Sequence, residues 1–91
     1  MPITPTKTTK LTWNSDPLVQ QIEDERYMKL IEMEQAGKTS MELWQQISSL
    51  VVVRHWIDEA AAQEFITFMM GLDQKYGPGL IKSAEILDYQ A

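Results

Sequence analysis

The period of hydrophobic and polar positions changes several times along the chain, and each change marks an expected element. From Asp16 onward, Val19, Ile22, Leu30 and Met33 recur on one face at helical spacing. Asp16 offers a carboxylate to free backbone N–H groups, and Pro17 sits where a helix has no use for its own N–H. Gly37 suits a left-handed C-cap, so a helix over 16–36 is predicted. Beyond it the pattern weakens. Thr39-Ser40-Met41-Glu42 fits a capping box and favours a short helix over 40–47. Met41, Leu43 and Ile47 also alternate loosely, which leaves an irregular segment or an edge strand open.

The clearest signal runs from residue 50 to 89. Leu50-Val51-Val52-Val53 is apolar and β-branched, as in a strand covered on both sides, and Trp56-Ile57 closes that strand. Arg54 and His55 should point to opposite faces of it. Asp58 then caps a helix whose Ala61, Phe65, Phe68, Met69, Leu72 and Tyr76 form a core stripe. Lys75 complements the dipole at its end, and Gly77-Pro78-Gly79 stops it. Residues 80–89 read as a second strand with one wet side or an edge, given Lys82, Glu85 and Asp88.

These elements predict an α+β fold, a small two-layer sandwich in which an N-terminal helix precedes a strand-helix-strand unit. A ferredoxin-like arrangement is one form it can take. Residues 1–15, rich in Thr, Lys and Pro at the start, are expected to be a flexible N-terminal arm ahead of a single domain at 16–91. Thr8 to Trp13 could add a short strand and fill the gap that a right-handed crossover often leaves. The sheet face away from the helices needs cover, and a second copy of the chain is the simplest, which points to a homo-oligomer.

Composition narrows the function classes. Ninety-one residues make one domain. The absence of cysteine removes disulfides, thiolate metal sites and a Cys nucleophile together. The net charge of −5 is uneven: Lys7 and Lys10 stand alone at the start, whereas 16–37 is strongly acidic. Few and scattered basic residues argue against nucleic acid as a ligand. No signal peptide or membrane span is apparent, so a cytoplasmic or virion-associated protein is expected.

The search for chemistry finds little. Gly37-Lys38-Thr39 follows a helix and has Glu32 where a phosphate-binding loop needs Gly. One His, and acids such as Glu23-Asp24-Glu25 that fan around a helix, predict no metal. No cofactor is implied. Four residues are candidates for an interface. Trp13 and Trp44 belong to a set of three indoles that is large for this length, and Trp is a favoured anchor. Met28 projects from the polar side of its helix. Arg26 interrupts the apolar stripe between Ile22 and Leu30; its guanidinium either reaches water or Glu23, or is aimed at a carboxylate or phosphate. His55, with Trp56, is the candidate for acid–base chemistry because its ordinary pKa lies near neutrality.

Val51-Val-Val-Arg-His-Trp-Ile-Asp-Glu-Ala-Ala-Ala-Gln-Glu-Phe-Ile resembles a loose group of small phage-encoded α+β proteins of unknown function. In them a strand ending Arg-x-Trp meets an acidic, Ala-rich helix start, often below a helix like 16–37. The same stretch is similar to the dimeric α+β barrel group, which includes antibiotic-biosynthesis-type monooxygenases. With that phage-type outline, a complete fold signal without a site signal, an arm and spare aromatic residues suited to docking lead to the expectation of a non-enzymatic accessory or virion-associated protein working through protein–protein contacts. The second resemblance implies a small-molecule binder or enzyme with a pocket near His55 and Trp56. A third reading, an acidic protein that sequesters a basic factor, follows from the charge of the first helix.

Overall fold

The structure, a computed structural model, describes residues 3–14 and 20–90. Among them the elements follow as β1 (Lys7–Trp13), α1 (Gln20–Gln35), β2 (Trp44–Ser48), β3 (Val51–Trp56), α2 (Glu59–Tyr76) and β4 (Ile81–Asp88). The fold is α+β, but its first element is a strand and not the expected helix. Residues 7–13, read from composition as part of an arm, lie inside the sheet. Their threonines favour extended backbone, and Thr9, Leu11 and Trp13 alternate onto one buried face.

The four strands are ordered β2-β3-β1-β4 and every pairing is antiparallel. β3 and β4 therefore run parallel with β1 between them, which is the gap-filling role considered for residues 8–13. β1 and β2 are related in the same way around β3. The two strand-helix-strand units interleave, and each lends the other its middle strand.

The short helix expected over 40–47 does not form. Residues 44–48 are an edge strand instead, with Trp44 opposite Arg54 and Gln45 opposite Val53. Thr39 does not cap a helix; it is buried and its hydroxyl donates to the His55 carbonyl at 2.8 Å. β3 is also not covered on both sides. Val52, Arg54 and Trp56 face the helices, while Val51, Val53 and His55 lie on the opposite face, over which no described helix packs.

Each helix follows its local signals. α2 begins at Asp58, whose Oδ1 accepts from the Ala61 amide at 2.8 Å, and ends at Gly77 with φ +136°. α1 ends before Gly37, which adopts φ +75° as the C-cap reading required. The expected start at Asp16-Pro17 and the apolar Val19 lie outside the described residues. Ile22, Leu30 and Met33 of α1 join Phe65, Met69 and Leu72 of α2 over Leu11, Trp13 and Trp56 of the sheet. Among the described residues no helix is long and apolar enough to cross a membrane.

Candidate functional site

The alternation that buries Val52 and Trp56 also drives Arg54, between them, into the helix-side layer. Trp44 stands beside it on β2, because the hairpin register pairs the two residues. α1 crosses above with Arg26, Tyr27 and Leu30, and Trp13 of β1 contributes from below. Together they enclose a cleft of about 440 Å³, to which Met41 adds a further apolar wall.

Arg54 gives this cleft its chemical character. The residue is only 9% exposed, and its Nη1 is buried with no hydrogen-bond partner. Among the described residues no carboxylate pairs with it. Its guanidinium carbon lies 5.9 Å from the Trp44 ring centroid, a cation–π contact that offsets part of the lost hydration. Burial, and then the like charge of Arg26, lowers its pKa from 12.5 to about 10. It remains a cation at neutral pH. A buried guanidinium without a matching anion is costly, and buried polar atoms are nearly always satisfied.

Arg26, the first of the two guanidinium groups at the cleft, already has a partner. Its Nη2 bonds Glu23 Oε2 one helical turn back, in line with the reading that sent it to Glu23. Glu23 is the carboxylate lining the cleft, and that bond occupies one of its oxygens. The cleft therefore carries one paired arginine, one unpaired arginine and aromatic walls.

Of the interface candidates, Trp13, Trp44 and Arg26 come together here, although Trp13 is buried as a core residue and only Trp44 is half-exposed. Met28 does not join them. It is exposed in a separate shallow trough beside Phe68 of α2, rimmed by Asp24, Glu25 and Glu32. Tyr27, Met41 and Arg54 were not singled out by sequence reasoning. For Arg54 a signal existed, since it holds the same strand parity as Val52 and Trp56.

His55 and Trp56 are not brought together. Trp56 is fully buried under Phe65 at a centroid distance of 4.8 Å, and its Nε1 donates to Thr9 Oγ1 at 2.9 Å. His55 points to the other face, where Nδ1 lies 2.9 Å from Thr8 Oγ1 and the ring meets Tyr89 edge-on. Neither lines the cleft. A hydroxyl–imidazole pair can begin nucleophilic chemistry, but Thr8 is itself only 8% exposed.

Burial, followed by the Arg54 charge, holds the His55 pKa below the ordinary 6.5. The unfolded chain then binds more protons than the folded one just below that value. Stability should fall as pH drops through this window and level off below the folded pKa. An NMR titration of this single histidine should give a midpoint under 6.5, and His55→Gln should flatten the stability profile across that window. A midpoint above 6.5 would contradict the arrangement.

Among the described residues no three His, Asp or Glu side chains converge as a metal-binding group. No protein-family model matches the chain, and neither does any curated protein or solved structure.

Proposed function

We propose that this chain is a non-enzymatic interaction protein, an accessory or virion-associated module of phage type, that acts through protein–protein contacts. The carrying observation is the cleft between α1 and the β2–β3 hairpin, where aromatic walls surround a buried and unpaired Arg54. Aromatic residues and arginine are the groups that anchor protein interfaces. The enzymatic alternative required His55 and Trp56 around one pocket, and these side chains lie on opposite faces of β3, with His55 Nδ1 and Trp56 Nε1 each engaged by a threonine of β1. The phage assignment rests on the resemblance of residues 51–66. The interleaved strand-helix-strand units favour a ferredoxin-like description of the fold.

One partner is a second copy of the chain. The sheet face away from the helices presents half-buried Val51 and Val53, exposed Leu87, and Tyr89. Lys10 and Glu85 stand side by side at its centre, both exposed. Two such faces related by a two-fold axis would place Lys10 of one copy against Glu85 of the other over a valine core. Native mass spectrometry and light scattering should find a homodimer, and Val53→Asp should give a folded monomer. A wild type that stays monomeric at high concentration would remove self-association from this reading.

A further inference from the structure

The cleft contains an unsatisfied cation beside an apolar wall, and the two are within one residue's span of each other. Arg54 Nη1 is buried without an acceptor, and Trp44 lies against the same guanidinium. We propose that the cleft receives the C-terminal residue of a partner polypeptide, an apolar or aromatic residue whose α-carboxylate pairs with Arg54. This rests on the interaction-protein reading above and names what the site would recognise.

Three features select this ligand. A carboxylate matches the planar fork of a guanidinium and can be held by paired charge-assisted hydrogen bonds. A chain end carries its carboxylate and its side chain on one Cα, which suits a cation set among Trp13, Met41, Trp44 and Val52. An internal Asp or Glu would press its flanking peptide groups against those apolar walls, leaving them without hydrogen-bond partners. A phosphate group would satisfy the charge and leave the aromatic surface unused. The volume of about 440 Å³ falls in the range of ligand pockets and leaves room for a residue and part of its neighbour.

Arg26 sets the polarity of the entrance. Its charge is shared with Glu23, so the rim is close to neutral while the interior stays positive. A carboxylate would gain most by passing the rim and reaching Arg54.

The test is calorimetric, with an acetylated tetrapeptide ending in leucine-phenylalanine, the same peptide as its C-terminal amide, and N-acetylphenylalanine. The free-acid peptide should bind, and amidation should weaken it roughly tenfold or more, the value of a hydrogen bond to a charged group. Arg54→Met should fold with a raised melting temperature, because an apolar chain of similar length replaces an uncompensated buried charge. That variant should bind acid and amide alike. Equal binding of acid and amide to the wild type, or a preference that survives in Arg54→Met, would overturn the proposal. If nothing binds while the homodimer persists, the C-terminal reading falls and the interaction reading stands. If N-acetylphenylalanine binds as tightly as the peptide, the site is for a small acid, and both readings of this cleft fall.

Discussion

Replacing Trp56 with alanine is expected to lower the stability of the protein by about 3–5 kcal/mol. Small domains are held by about 5–15 kcal/mol in all, so much of the population would unfold on mild heating. The indole is completely buried and stacks on Phe65, tying β3 to α2. It also bonds across to β1, where Thr9 is 1% exposed and accepts from Nε1. Alanine would therefore open a cavity and strip a buried hydroxyl of its donor at once. Trp56→Phe separates the two effects. It keeps most of the stack and loses the hydrogen bond, and should cost far less, about 1–3 kcal/mol. Urea unfolding followed by circular dichroism measures both variants. An alanine variant no weaker than the phenylalanine variant would show that packing against Phe65 is not the source of the stability.

Asp73→Ala should produce the second large loss, about 2–4 kcal/mol, from a single buried carboxylate. Asp73 is 5% exposed and accepts from three successive backbone amides, those of Gly79, Leu80 and Ile81. The carboxylate thus fixes the path by which the chain leaves α2, turns and enters β4. Asn14 completes the joint from the β1 side, with its side chain donating to the Gly79 carbonyl at 2.7 Å. Removing the carboxylate leaves donors inside the protein with no acceptor. Amide hydrogen exchange at Leu80 and Ile81 should accelerate well beyond that in β3. Asp73→Asn retains one acceptor oxygen and should fall between wild type and alanine. Unchanged exchange in the alanine variant would mean that the turn is held by other contacts.

What the sequence disclosed follows from how strongly each element is buried. α2 has a cap, a stripe and a stop signal, and it lies where those signals put it. β3 and β4 were legible from their β-branched and alternating residues. β2 was legible only as the open alternative to a short helix, because all five of its residues are exposed. Met41, Leu43 and Ile47 alternate only loosely, and the capping-box pattern at Thr39 favoured a short helix over the edge strand that formed. β1 was half legible: Thr9 occupies a core position, where an apolar residue is expected, because Trp56 gives its hydroxyl a partner. The cleft was the least visible part. Its aromatic members could be named as candidates, but their convergence depends on the β2–β3 register and on α1 lying over it. Arg54 was read only as facing away from His55, and its parity with the buried Trp56 is what places it indoors.

The first strand of the chain pairs with two strands that are made much later. Lys7 meets Asp88 across 81 positions of sequence, and Thr8 meets His55 across 47. On the ribosome, β1 emerges before either of these partners and must wait until the chain has been translated through residue 88. A nascent chain that has released only β1, α1 and the β2–β3 hairpin still exposes the β1 edge that β4 will later occupy. Such an unpaired edge invites association with other chains. Closing the sheet also brings distant segments together late, which slows folding relative to a helical domain of equal length. Yield in the cell should therefore respond to the speed of translation through β4 and to chaperones that shield bare strands, as much as to the stability of the finished fold.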